Sequence, residues 1–202
     1  DALYPLRFCY IGNVFRYIDY GCGKQNEFTQ AGVEVLGVDT PYADAEVISI
    51  AIKALKASGL ENFQVDIGQV DFFKGLMEEA GIPDEKAQQV RKLIDRKDYV
   101  GLEEFLNRSE IKPELKKLIY DLPGFFGSSD LIDRVLAFNL NKRSREALEN
   151  IRQVIGILED FGLGKYVSVD LGMLGGLDYD TGIIFRGFTH GVGFPVLTGG
   201  RY

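Results

Sequence analysis

One histidine, His190, and two cysteines, Cys9 and Cys22, are all that 202 residues offer of the softer metal ligands. They fall short of a tetrahedral zinc set, and no carboxylate spacing supports a magnesium site, so no metal is expected. Two cysteines in a chain of this size leave the core independent of disulfides, which makes a reducing, cytoplasmic setting the expectation. No apolar run approaches the roughly 18 residues that suggest a membrane span, and no signal-peptide pattern opens the chain. Neither GxxxxGK[ST] nor a GxGxxG following a strand occurs, so phosphate-loop and dinucleotide-binding cofactor sites are not expected. His190 has no Ser or Cys nucleophile motif around it and reads as a loop or strand-end histidine. Basic residues are outnumbered, 23 Lys and Arg against 30 Asp and Glu, giving a net charge of −7. That balance argues against a nucleic-acid partner, because phosphate neutralisation needs clustered cations.

What is present fits a soluble globular chain, 46% hydrophobic and 26% charged. Its length suits one domain or a core with a large insertion. Leu6–Ile11 and Glu27–Val38 predict an antiparallel pair of strands joined by a glycine-marked loop. Asp44–Ala57 has apolar residues at helical spacing, with Asp44 as N-cap and Gly59 as stop. Asn62–Ile67 reads as a short strand. Helices are then predicted over 71–80, 84–95, 99–107, 113–121, 129–138 and 144–161, with breaks at Gly81-Ile82-Pro83, Lys112-Pro113 and Leu122-Pro123-Gly124. This middle carries 16 of the 23 basic and 18 of the 30 acidic residues, so it is charge-balanced and solvated. Residues 166–171, 182–186 and 194–197 return to strands.

The order β-rich, helical, β-rich predicts one sheet interrupted by a helical insertion. The core would comprise residues 1–67 and 166–202, and the insertion 68–165. Apolar stripes in the insertion, such as Val90, Leu93 and Ile94, are expected to pack on one another. Deleting residues 69–165 is therefore expected to leave a sheet that folds. The chain opens at Asp1 without a methionine and stops inside a motif, which reads as a piece of a longer protein.

Glycine crowds the last part of the chain, in Gly175-Gly176-Leu177-Asp178-Tyr179-Asp180-Thr181-Gly182 and in Thr198-Gly199-Gly200-Arg201-Tyr202. Glycine this dense among β-branched and aromatic residues means backbone passing close to a strand or a ligand. Gln30 and Glu34 lie four apart on a strand, so both side chains face one side, with Thr29, Ala31, Val33 and Val35 on the other, apolar side. On an enclosed surface such a pair needs partners; on an open sheet it is the solvent face. Arg16 suits phosphate oxygens through its planar fork, or pairs with Asp19 or Asp1. Asp178 either bonds the tight backbone near Gly175-Gly176 or faces a ligand, and Tyr179 either packs or contacts a ligand.

The run Arg7-Phe8-Cys9-Tyr10-Ile11-Gly12-Asn13-Val14-Phe15-Arg16, continued by Glu27-Phe28-Thr29-Gln30-Ala31-Gly32-Val33-Glu34, resembles motif 2 of the histidyl type of class II aminoacyl-tRNA synthetases. The GLDYxTGxxF and GGRY segments resemble the signature segments of histidyl-tRNA synthetases and their non-catalytic paralogues. The resemblance implies an α+β fold, a class II synthetase-like antiparallel sheet with flanking helices and a helical insertion. It also implies a histidine pocket of Gln30, Glu34, Tyr179 and Asp180, with Arg16 as a residual phosphate or ATP position and Arg7, Asp178, Arg201 and Tyr202 as further lining.

The departures from that family concern ATP chemistry. Gly175 stands where an active synthetase carries an arginine, Ile18 where an acid engages adenine, and Asn26 in place of the loop's second arginine. Glycine supplies no charge to a pentacoordinate phosphate. Asp180 replaces the second tyrosine of DYYTG, as an acceptor for an imidazolium. A histidine pocket kept beside dismantled adenylation groups is similar to the regulatory subunits of ATP phosphoribosyltransferase, and the Gly182–Gly191 run fits that branch. The resemblance implies a non-catalytic protein that binds histidine and confers feedback on the first step of histidine biosynthesis. The implied partner is a short-form catalytic subunit, with a homodimer at full length and no membrane. A fragment of a histidyl-tRNA synthetase is the alternative. Motif 1 and motif 3 are not in the chain.

Overall fold

The structure, a computed structural model, describes residues 3–17, 26–175 and 180–202. Strand β1 (Leu6–Phe15) pairs antiparallel with β2 (Glu27–Leu36), Tyr10 opposite Gly32 and Phe8 opposite Glu34. Helix α1 (Pro41–Ala57) follows, then β3 (Phe63–Gln69) and α2 (Val70–Glu79). Next come α3 (Asp84–Asp95), α4 (Tyr99–Asn107), α5 (Pro113–Asp121), the short β4 (Phe126–Gly127), α6 (Asp130–Leu136) and α7 (Lys142–Asp160). The chain closes with β5 (Val167–Asp170), β6 (Ile183–Thr189) and β7 (Leu197–Gly200).

The α+β composition is the expected one, but among the described residues the strands form two sheets rather than one. β1 and β2 stand as a separate ribbon, and a five-stranded sheet runs in the order β4-β5-β3-β6-β7. Within it only β3 and β5 are parallel. They are parallel because the whole run of helices 70–160 lies between them as a crossover.

Local sequence explains where the helices begin. Pro41 occupies the first turn of α1, where its missing N–H costs nothing, and Thr40 rather than Asp44 is the N-cap, its hydroxyl accepting from the Ala43 amide at 3.3 Å. Gln69 caps α2 through the Asp71 amide (2.6 Å), and Asn141 caps α7 through the Ser144 amide (2.9 Å). α7 buries Ala147, Leu148, Ile151, Val154, Ile155 and Leu158, the three-and-four spacing of one helical face.

One main core cluster spans the sheet and the helices, with a small second cluster of Val70, Met173 and Ile184 beside it. Ile48 and Ile52 of α1, Val65 and Ile67 of β3 and Phe185 of β6 share one cluster with Phe72, Ile94, Leu102, Leu118 and Leu148 from the helical stretch. The apolar stripes of that stretch thus pack against the sheet as well as one another. Deletion of residues 69–165 would open this core and cut β3, whose last residue is Gln69. The expected folding of a sheet without those helices would therefore have to proceed without this shared core.

Candidate functional site

The site begins with the alternation of the β1–β2 ribbon. Phe8, Tyr10 and Gly12 lie opposite Glu34, Gly32 and Gln30 and share a face with them. The Tyr10 ring folds across the strands onto Gly32, where a Cβ would come within 2.3 Å of it, so only glycine admits the ring. There the Tyr10 hydroxyl accepts from Gln30 Nε2 at 2.5 Å. Tyr202, beyond the end of β7, donates its hydroxyl to Glu34 Oε2 at 2.7 Å. Around Gly12, beside Gln30, a Cβ would meet nothing within 4 Å. The structure therefore gathers the half-buried Gln30 and Glu34 with the exposed Tyr10 and Tyr202 on one polar face, with open space over Gly12. On the opposite face Val33 and Val35 are half-buried, while Thr29 and Ala31 are exposed, and Thr29 donates to Asn13, which donates to Glu27.

Arg16 lies on the face of Gln30, past the end of β1, with its guanidinium 5.4 Å above the Phe28 ring. Its backbone amide donates to the carbonyl of Asn26 at 2.8 Å, which extends the ladder by one rung. Asp19 and Asp1, offered as its alternative partners, lie outside the described residues, as do Ile18, Cys22, Asp178 and Tyr179.

Two expected lining residues are used elsewhere. Arg7 sits on the opposite face, opposite Val35, and donates twice to Glu46 of α1 at 2.7 and 2.9 Å. Arg201 reaches the first turn of α1, where it donates to both oxygens of Asp44 and to Asp39. Burial pushes the Asp44 carboxyl up despite the hydrogen bonds from Arg201. Arg201 is raised because Asp44 and Asp39 outweigh the burial that alone would lower it. The pair ties the end of the chain to the first turn of α1.

Asp180 is buried at 9% exposure, its carboxylate lodged between two glycines. A Cβ on Gly175 would lie 2.9 Å from Asp180 Oδ2 and 3.1 Å from Val70, and one on Gly200 would lie 3.2 Å from Asp180 Oδ1. Gly175 also has φ +77°, a conformation that side-chain-bearing residues rarely adopt. The backbone here is fixed from the helices: Lys74 donates to the Asp180 carbonyl at 3.1 Å, and Arg91 donates to the Gly175 carbonyl. Val70, Lys74, Arg91, Leu174 and Asp180 line a groove of about 650 Å³. Asp180 thus opens toward α2 and α3, and its link to the Gln30–Glu34 face runs along the chain through Gly200 to Tyr202.

Sequence reasoning missed Tyr10, Lys74 and Arg91. Tyr10 had a signal, because register counted outward from the hairpin loop puts an aromatic opposite a glycine. Lys74 and Arg91 act on carbonyls more than 80 residues away and had none.

A family model described as histidyl-tRNA synthetase matches residues 2–202. The chain is 62% identical over 202 residues to the ATP phosphoribosyltransferase regulatory subunit of Acetivibrio thermocellus, covering 100% of this chain and 48% of that protein. It is 54% identical over the same length to that of Ruminiclostridium cellulolyticum, again covering 100% and 48%. A crystal structure from Bacillus halodurans, described as an ATP phosphoribosyltransferase regulatory subunit/histidyl-tRNA synthetase, superposes with a TM-score of 0.90 at 34% identity. The superposition covers 99% of this chain and 52% of that one. The chain spans about half the length of the curated relatives it matches. A match over essentially every residue, together with the motif 2 hairpin and the glycine-built seat of Asp180, places the chain in the histidyl-tRNA synthetase family.

Proposed function

We propose that this chain is the histidine-sensing part of a cytoplasmic, non-catalytic regulatory subunit of ATP phosphoribosyltransferase. It acts with a short-form catalytic subunit to pass feedback to the first step of histidine biosynthesis, as a homodimer at full length. The observation that carries the non-catalytic reading is Gly175. At φ +77°, with the Asp180 carboxylate and Val70 against it, this position has no room for the arginine that an adenylating site requires. Electrostatic stabilisation of the transferring phosphoryl group loses its donor there. The names of the relatives support the regulatory assignment.

Histidine is assigned to the Gln30–Glu34 face, its imidazole toward Glu34 and its amino group toward Gln30. A ligand there displaces the Tyr202 hydroxyl from Glu34 or bridges to it. Division of the chain into a core of 1–67 and 166–202 with an insertion of 68–165 belongs to the same proposal, as an account of descent rather than of independent folding.

The test is a thermal unfolding series on the full-length protein with and without histidine. Ligand at a hundredfold its dissociation constant stabilises by about 2.7 kcal/mol, and each kcal/mol moves the midpoint of a domain this size by roughly 2–4 °C. Glu34→Gln should remove most of that rise, because an imidazolium loses its charged acceptor, while Arg16→Ala should keep it. No rise in the unaltered protein, or equal loss in both variants, overturns the pocket. Histidine-dependent pyrophosphate exchange with ATP overturns the non-catalytic reading, and failure to co-purify with a short-form ATP phosphoribosyltransferase overturns the partner.

A further inference from the structure

The acidic balance of the chain hides one strongly basic groove. Between α3 and α4 lies a cleft of about 500 Å³ whose walls carry Lys86 and Lys92 from α3, and Arg96 and Arg108 from the residues that cap the C-terminal ends of α3 and α4. Glu104 is the sole acid on its lining, and it is engaged by Arg108 at 3.5 Å. Among the described residues no carboxylate lies within ion-pairing distance of Lys86, Lys92 or Arg96. Elsewhere Arg7, Arg143, Arg152 and Arg201 all hold carboxylates. Like charges left together in a net −7 chain repel one another and focus a positive potential in the cleft.

We propose that this groove docks an acidic polypeptide segment of a partner protein. Lys86 to Arg96 spans ten helical steps, about 15 Å at the helical rise. That length matches four or five extended residues at roughly 3.3 Å each, more than one phosphate covers. A compact phosphate would also find no cradle. The cations are exposed side-chain ends, and the Gly101 amide at the start of α4 is already taken by Asp98 at 2.9 Å. RNA fits less well, because Leu93 and Phe105 on the floor pack against the core and leave no free ring for stacking. A long polyanion would also extend over the acidic remainder of the chain. The inference does not depend on what the Glu34 face binds.

The experiment uses the full-length protein and a fluorescein-labelled ten-residue peptide of alternating Glu and Ser, read by anisotropy at 50 and 200 mM salt. Saturable binding at low salt, weakening as salt rises, is expected. Combined Lys86→Glu, Lys92→Glu and Arg96→Glu should weaken it by about tenfold or more, in keeping with loss of three exposed ion pairs. Lys53→Glu with Lys117→Glu, equal in kind but outside the groove, should leave it within about twofold, and thermal unfolding of both variants establishes that they fold. Absence of peptide binding at 50 mM salt, or equal weakening by both sets, overturns the proposal. Tighter, groove-dependent binding of tripolyphosphate or of a single-stranded RNA decamer overturns it in favour of that ligand.

Discussion

The β1–β2 ribbon and the body that follows it are built on different principles. No residue of the ribbon is among the buried hydrophobics, which begin at Ala45, and Ile11 and Phe15 stand 81% and 72% exposed. In the body β3 is buried on both faces and α7 contributes a full apolar stripe. Two strands alone are marginal in water, so the ribbon takes its position from the body. It does so through polar tethers, Arg7 to Glu46 and Tyr202 to Glu34, together with packing of β2 on α1. The polar face bearing Gln30 and Glu34 therefore sits on the part of the described chain least fixed by burial. A surface that exchanges hydrogen-bond partners for a ligand is easier to build there than inside a close-packed core.

The largest effect that tests this contrast is truncation of one large apolar side chain in each region. Phe72 is fully buried in α2, and Phe72→Ala should cost about 3–5 kcal/mol. Ile11→Ala should stay within roughly 0.5 kcal/mol, the range for surface changes. Urea unfolding midpoints decide it. A loss at Ile11 comparable to that at Phe72 would break the comparison, because it would mean that the ribbon is buried in solution.

Sequence periodicity made much of the body legible. α3, α4 and α5 begin and end where spacing and proline punctuation put them, at 84–95, 99–107 and 113–121. Periodicity shows which face of a helix is buried but not against what, so the shared core was invisible. β7 runs Leu197–Gly200 rather than 194–197, because pairing with β6 overrides the weak strand propensity of Gly199 and Gly200. β4 has two residues and exists only because the edge of β5 lies beside it. At the candidate site, two-residue alternation correctly put Gln30 and Glu34 on one face. It could not reveal that Arg201 would be drawn to Asp44, an ion pair 157 positions apart in sequence.

A smaller effect separates backbone strain from close approach within the body. Gly175 and Gly162 both have positive φ, but a Cβ on Gly162 would meet nothing within 4 Å. Gly162→Ala should cost about 1 kcal/mol for conformation alone. Gly175→Ala should cost more, about 2–3 kcal/mol, since the Asp180 carboxylate or Val70 must also shift. Asp180→Ala in the Gly175→Ala background should recover part of that difference, a coupling expected of residues in contact. Equal costs at the two glycines would mean that the seat of Asp180 is looser than its geometry indicates.

The smallest effect is one of pH, and its sign differs between the regions. In the body, burial raises the Asp66 carboxyl, with the hydrogen bond from Ser168 Oγ at 2.5 Å offsetting part of the rise, and burial raises Asp170 nearby. Between the unfolded value and the raised folded one, the folded chain holds more protons than the unfolded. Stability therefore falls as pH rises through that window, and the full penalty stands above it. At the ribbon, the hydrogen bonds from Arg7 hold Glu46 below its ordinary value. That contribution is present above the unfolded value and lost as pH falls through the folded one. Asp66→Asn keeps an acceptor for Ser168 without a charge, so it should gain on the unaltered protein at neutral pH and converge with it in acid. Glu46→Gln should do the reverse, slightly less stable at neutral pH and level in acid, with the difference shrinking in high salt because the pair is exposed. Thermal midpoints of the three proteins across the carboxylate range check both signs. A loss at neutral pH in Asp66→Asn would show that the charged hydrogen bond to Ser168 outweighs the burial of the carboxylate, and the body would then share the ribbon's reliance on polar contacts.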